Sequence, residues 1–301
     1  MSILKPLRAA QRALARQGLY VFFALFRPLP YRLVRLIGQV LIAVGYVFIW
    51  RQKKIARESL TIAFSGEKSA AEIENIAREC FYNFGWGMVE MLYAMAHPHW
   101  ALGKVTIDGR DRLDTALARG QGVITVTAHF GNFPLMMLAL AQMGYDVSSI
   151  IRPARDADLE KFLYRKRSDL SVKTVYAIPR RECVEQSLKV LRTNGLLFIP
   201  IDQHFGNGHG VWVDFFGRKA ATATGPAVFS LRTGAPIIPV FVTRQGVDGH
   251  RIIVEAPIPV AAGADEEERV LETTAAITRV IEQYIRRYPQ EWGWMHRRWK
   301  T

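Results

Sequence analysis

The residue in this chain with the plainest chemistry is His129, in Thr127-Ala128-His129-Phe130-Gly131-Asn132-Phe133-Pro134. The apolar run 123–126 before it reads as a buried strand, and 135–141 after it reads as a helix. A neutral imidazole takes a proton from a hydroxyl near neutral pH. Open α/β sheets bind ligands where strands end and helices begin. The small neighbours Ala128 and Gly131 also favour a general base over a structural histidine. Asn132 is an N-cap candidate, and Pro134 suits a first helical turn, where amides lack intrahelical partners. Gly131 and Asn132, at a helix start, could offer amides to an oxyanion or a phosphate.

Other candidates follow later strands. Asp202-Gln203 ends the run 196–201 at the same sheet edge, so Asp202 is a candidate neighbour of His129, with strand order open. Arg152 and Arg155 follow 147–151 and could bind phosphate or carboxylate in that crevice, or form a solvated loop. Arg165-Lys166-Arg167 reads as a solvated helix face. After Gln203 comes a glycine-rich loop with Gly206, Gly208, Gly210, Phe215, Phe216, Gly217, Thr222, Thr224 and Gly225. Glycines with exposed aromatics suit a lid over an apolar ligand. His204 and His209 stand five residues apart without a third ligand, so no metal site is expected. GxSxG, Walker A, HExxH and zinc-cysteine patterns are absent from the sequence.

These residues need a scaffold. Runs 105–108, 122–127, 147–151, 172–176, 196–201, 236–243 and 251–255 read as strands. Runs 111–118, 133–143, 157–168, 182–193, 224–233 and 265–288 read as helices. The alternation predicts an α/β fold, a mostly parallel sheet covered by helices on both faces. Ser69 and Glu72 form a capping box opening a further helix. Ile73, Ile76, Cys80, Phe81, Phe84, Met88, Met91 and Met95 give it a core-facing stripe, and Gly85 and Gly87 allow close approach. Residues 58–301 read as one domain.

Charge assigns a role to the rest. The 301 residues are 50% hydrophobic and carry a formal net charge of +13. Eleven Lys and Arg precede the first acid, Glu58; the remainder has 29 basic and 27 acidic residues. The excess therefore belongs to residues 1–57. This disfavours nucleic-acid binding, which needs a basic patch on the folded module. It favours an anionic membrane surface. Arg8, Arg12 and Arg16 at helical spacing suit an interfacial helix, or a solvated tail. Arg27-Pro28-Leu29-Pro30 interrupts the apolar sequence. The uncharged run 36–50 has 15 residues, short of the ~20 an untilted span needs. A hairpin dipping into one leaflet and a tilted helix both fit, and a cleaved signal peptide does not. Cys80 and Cys183 read as buried thiols in a reducing compartment.

With these residues in place, the chain resembles the bacterial lipid A late acyltransferases, the lauroyl/myristoyl transferases of the lysophospholipid acyltransferase superfamily. The resemblance rests on four stretches in order: Arg57-Glu58-Ser59-Leu60 to Phe64 after a basic apolar start; His129-Phe130-Gly131-Asn132; Asp202-Gln203 with Phe215-Phe216-Gly217, Thr222, Thr224-Gly225 and Pro239-Val240-Phe241; and Tyr288-Pro289 with Trp292, Trp294, His296 and Arg297-Arg298-Trp299. It implies an inner-membrane enzyme, active on the cytoplasmic side, with an N-terminal membrane helix. Such an enzyme moves an acyl chain from acyl carrier protein or coenzyme A to a hydroxyl of a glycolipid or lysophospholipid. The thioester is a co-substrate, and no cofactor, metal or covalent acyl-enzyme is implied. His129 and Asp202 are then the catalytic candidates. Gly131, Asn132, Arg152, Arg155, Gln203, Phe215, Phe216, Gly217, Thr222, Thr224 and Gly225 are the substrate-binding ones. The basic clusters near 152–167 suit an acidic carrier protein. Trp292, Trp294 and Trp299 with Arg297, Arg298 and Lys300 suit a membrane interface or core packing.

One position departs from the pattern. The family places an acid at H-x4-D/E, where this chain has Pro134, and no Asp or Glu occurs between His129 and Gln142. His209 and Asp214 also have that spacing, but in the glycine-rich loop with no capped helix after it. Either Asp202 or a more distant acid replaces the missing one, or the chain binds lipid without turnover.

Overall fold

The computed structural model describes residues 4–206 and 210–300, with only the backbone for residues 4–12 and Ala15. His209, and with it the second H-x4-D spacing, lies outside the described residues.

Five helices come first: α1 (Leu4–Phe26), α2 (Tyr31–Phe48), α3 (Trp50–Ala63), α4 (Ala70–Ala96) and the short α5 (Pro98–Leu102). The two prolines at 28 and 30 separate α1 from α2, since proline offers no amide to continue a helix. The Ser69 hydroxyl accepts the Glu72 amide at 3.3 Å, and the Glu72 carboxylate accepts the Ser69 amide at 2.8 Å. This capping box opens α4 as the sequence predicts. Val34, Gly38 and Ile42 of α2 are buried. Gly38 and Gly85 make close packing of α2 on α4 possible: a Cβ at Gly38 would lie 3.2 Å from Val89, and one at Gly85 2.9 Å from Ile42. The opposite side of α2 exposes Leu36, Val40, Val44, Val47 and Phe48. By length and composition α2 can cross a membrane: its 18 residues have a mean hydropathy of 1.4, and 17% of them are buried.

Some details of this end differ from expectation. Arg16 is not a free interfacial charge; it pairs with Asp156 and Asp158 at 2.8 and 2.9 Å. The α4 stripe is only partly core, because Phe84 and Met88 are 54% and 48% exposed while Ile76 and Cys80 are buried. Arg167 is not solvated either; it pairs with Glu160 and donates to Thr174. Helix α3 runs unbroken through residues 57 and 58.

The chain then alternates: β1 (Val105–Asp108), α6 (Arg110–Leu117), β2 (Val123–Thr127), α7 (Phe133–Gln142), β3 (Val147–Ile151), α8 (Ala157–Asp169), β4 (Val172–Tyr176), α9 (Arg180–Arg192), β5 (Leu196–Pro200), β6 (Val211–Phe215), β7 (Arg218–Thr222), α10 (Gly225–Thr233), β8 (Ile237–Gln245), β9 (Gly249–Val254) and α11 (Glu266–Arg287). Seven strands form one sheet in the order β1-β9-β8-β2-β5-β3-β4. Every pair in it is parallel except β8–β9. One face packs Phe198, Ile238 and Val240 on Met136 and Leu140 of α7. The other packs Ile124, Val126 and Leu197 with Ile277 and Ile281 of α11. Central strands buried on both faces explain the continuous apolar runs. Both cysteines are free and buried.

The glycine-rich loop holds an element that the sequence reading does not contain. β6 and β7 pair as an antiparallel hairpin from Val211↔Thr222 to Phe215↔Arg218. Phe216 and Gly217 turn it, both at positive φ, 56° and 69°. That is the geometry of a tight hairpin turn, usually marked by Asn-Gly. An aromatic at positive φ hides the signal. Tertiary contacts hold it there: the Phe216 amide donates to Glu282 at 2.7 Å, and its ring packs edge-on against Phe64. Phe215 and Phe216 are 1% and 5% exposed. Phe215 and Phe216 are therefore not exposed lid aromatics but the buried side of a hairpin whose other side exposes Trp212.

Candidate active site

Sheet register creates the site. β2 and β5 are parallel neighbours with Thr127 opposite Pro200. Two residues past the end of each strand are His129 and Asp202. The His129 Nδ1 lies 2.9 Å from Asp202 Oδ1. The His129 amide donates to Oδ2 at 3.0 Å, and the Trp292 indole donates to the same oxygen at 2.8 Å. Asp202 is fully buried, while a third of the His129 side chain is exposed. An ionised carboxylate only accepts, so in the neutral ring Nδ1 carries the proton and Nε2 keeps its lone pair. Gln203 Nε2 stands 3.3 Å from His129 Nε2, as a donor to that lone pair.

Electrostatics agree with this arrangement. Burial pulls the His129 pKa down, but the Asp202 charge and hydrogen bond outweigh burial and hold it above its ordinary value. Burial pushes Asp202 up, but the His129 charge and hydrogen bond reverse this and keep the carboxyl well below its usual range. His296, its ring 6.4 Å from that of His129, is held below its ordinary value by burial.

The loop after β2 is fastened on all sides. Gly131 has φ +55°, and a Cβ there would sit 2.0 Å from the Val242 carbonyl of β8. Its amide donates to the Glu291 carbonyl at 2.8 Å, and the Gly293 amide donates to the His129 carbonyl at 3.0 Å. Gly131→Ala therefore combines left-handed strain, about 1–3 kcal/mol, with a backbone collision. Its expected result is a clear fall in thermal midpoint by calorimetry; an unchanged midpoint contradicts this packing. The Gly131 amide is thus occupied and not available to an oxyanion. Asn132 is buried too. Its Oδ1 accepts the Leu135 amide, capping α7, and its Nδ2 donates to Gly87 O and Glu90. It supports the loop and does not face a ligand.

A model of the bacterial lipid A biosynthesis acyltransferase family matches residues 4–301. The chain belongs to this family. It is 27% identical over 278 residues to the lipid A biosynthesis palmitoleoyltransferase of Escherichia coli (strain K12), covering 91% of this chain and 87% of the relative. It is 28% identical over 282 residues to the lipid A biosynthesis lauroyltransferase of the same organism, with the same coverage. A phosphatidylinositol mannoside acyltransferase of Mycobacterium tuberculosis (strain CDC 1551 / Oshkosh) is 27% identical over 222 residues, 72% of this chain and 67% of that one. The protein is an enzyme of the acyltransferase class.

In this acyltransferase the remaining candidates divide. Arg152 and Arg155 are exposed past the end of β3, one strand beyond β5 and on the site's edge of the sheet. Gln203 is in the site. Phe215, Phe216 and Gly217 belong to the hairpin, and Thr222 is fully buried. Thr222 donates to Ala220 O at 3.0 Å and accepts from Arg298 at 2.5 Å. Thr224 and Gly225 open α10. Of these, Thr222 reaches the site through Arg298, which also donates to Gln203 O, and Phe215 through its ring contact with Trp292.

Arg298 is 1% exposed, and Trp292 and Trp294 are fully buried, so they form core and not a membrane interface. Arg298 donates to the carbonyls of Ala221 and Gln203, tying the loop after β5 to the hairpin. Burial pulls its guanidinium pKa down to about 10. The sequence reading missed Trp292 as a donor to Asp202. It also missed Glu90, although Glu90 is the lone charge in the apolar stretch 84–95.

Proposed function

We propose that this acyltransferase moves a fatty acyl chain from a thioester of acyl carrier protein or coenzyme A to a hydroxyl of a lipid A-type glycolipid. His129 is the general base and Asp202 orients it. The acceptor hydroxyl replaces the Gln203 amide at Nε2 and gives its proton to that nitrogen as its oxygen attacks the thioester carbonyl. The new C–O bond forms, the C–S bond breaks, and the departing sulfur takes the proton from the imidazolium. Asp202 stabilises the imidazolium while it exists. Arg152 and Arg155, both exposed past the end of β3, are the proposed partners of acceptor or carrier phosphates. The outward face of α2, followed by exposed Trp50, Arg51 and Lys54 in the first turns of α3, supports anchoring with the site on the cytoplasmic side. The mechanism calls for no cofactor beyond the thioester.

The observation that carries the mechanism is the 2.9 Å contact between Asp202 and His129 Nδ1. A lipid-binding protein without turnover was the alternative because Pro134 removes the usual acid; a buried carboxylate from the neighbouring strand supports the active reading instead. The test is transfer of labelled acyl groups from each thioester to lipid A precursor in detergent micelles by the purified protein. Stoichiometric lipid binding with no transfer from either thioester refutes the proposal. Pro134→Glu adds a carboxylate where Nδ1 is already occupied, so its expected transfer rate stays at or below wild type. A large gain would show that Asp202 is a poor substitute.

A further inference from the structure

We infer that Glu90 is a positioning residue for His129, acting through Asn132; the turnover part of this inference rests on the function proposed above. Glu90 lies on α4, far from the sheet edge in sequence, and is fully buried. Its carboxylate gathers three side chains from three elements. Asn132 Nδ2 donates at 3.1 Å, Arg244 donates at 2.6 and 2.9 Å from its two terminal nitrogens, and His250 Nε2 lies at 2.9 Å. The hydrogen bonds close into a ring. Arg244 N donates to the Glu291 carboxylate at 3.1 Å, and the Glu291 carbonyl accepts the Gly131 amide. Gly131 adjoins Asn132, which returns to Glu90. The ring runs through residues 131 and 132 of the loop that carries His129.

The need for a carboxylate follows from the Asn132 amide. Its oxygen must face the Leu135 amide to cap α7, so its NH2 must face position 90. Glu90 only accepts, as does the Gly87 carbonyl 3.3 Å from the same Nδ2, and together they permit one amide orientation. Glutamine at 90 can present its own NH2, setting donor against donor, and leaves only the longer Gly87 contact to hold the capping orientation of Asn132. It also leaves Arg244 without its counter-charge. Either change frees residues 129–132 to shift against Asp202.

The test uses the full-length protein in micelles. Glu90→Gln is expected to lower kcat by about 100-fold, the effect of a displacement near 1 Å at the chemistry. The KM for thioester stays near wild type, because no substrate contact is lost. The downfield proton resonance of His129 Nδ1–H, bonded to Asp202, weakens or disappears. Asn132→Asp keeps a capping oxygen but opposes two carboxylates, and is expected to lose kcat similarly. Combining Asn132→Asp with Glu90→Gln removes the opposition and is expected to recover most of the rate.

Wild-type kcat and an intact resonance in Glu90→Gln overturn the inference, as does a double variant whose loss is the product of the single ones. If Glu90→Gln does not fold, Asn132→Asp decides alone, and retained kcat and resonance in it overturn the inference. If wild-type protein transfers no acyl group, the proposed function fails. The resonance then still reads whether Glu90 holds His129.

Discussion

On the proposed mechanism, His129→Ala is expected to cut kcat by about 10²–10⁴-fold, the usual contribution of a positioned general base. KM for either substrate changes little, because the imidazole receives a proton in the transition state and adds little ground-state binding. The protein should still fold. A third of the His129 side chain is exposed, so its loss leaves no sealed cavity. Asp202 keeps two donors, the amide of residue 129 and the Trp292 indole. Without the imidazole charge, its carboxyl pKa rises toward the normal range, since burial then acts with less opposition. Rates from a thioester assay, with a melting curve to show folding, decide the matter. Undiminished transfer by the folded variant removes His129 as the base.

Asp202→Asn is expected to cost nearly as much, through the tautomer. The oxygen at the Oδ2 position accepts two hydrogen bonds, from His129 N and Trp292 Nε1. An asparagine must keep its oxygen there, which points its NH2 at His129 Nδ1. Nδ1 then becomes the acceptor and the proton moves to Nε2, leaving no lone pair for the substrate hydroxyl. A similar loss of the orienting acid lowers serine-protease turnover about 10⁴-fold. The pH profile should also shift. On the proposed mechanism the neutral imidazole is the active form, so kcat is expected to rise with pH through the raised His129 pKa. Removing the Asp202 charge leaves burial as the main influence, and burial lowers that pKa. The acid limb of the variant therefore moves to lower pH, at a much reduced plateau. A limb that stays in place, or moves up, means that Asp202 does not tune His129.

Much of this arrangement could be read before folding was considered. The strands from 105 onward and their intervening helices follow from apolar runs and caps, and all seven strands of the main sheet lie where the sequence places them. The hairpin was illegible because its turn residue, Phe216, holds positive φ through contacts with Phe64 and Glu282, residues distant in sequence. For the same reason Phe215 and Phe216 looked like an exposed lid. Asn132 was legible as a cap, and it is one. Its second task, holding Glu90, depends on α4 being packed beside α7, with Glu90 also reaching β8 and β9.

Local chemistry set what the sequence by itself determined: a histidine at a strand-to-helix junction, a capped helix after it, an acid after another strand, and a basic apolar N-terminus. Each of these depends on neighbours within a few residues. Tertiary structure alone decided which acid serves His129. Pro134 follows it closely in the chain and cannot help, whereas Asp202 is 73 residues away and lies 2.9 Å from Nδ1. The reason is strand order: β5 lies against β2, with Thr127 opposite Pro200, and that pairing is fixed by how both sheet faces bury their side chains, not by any one segment.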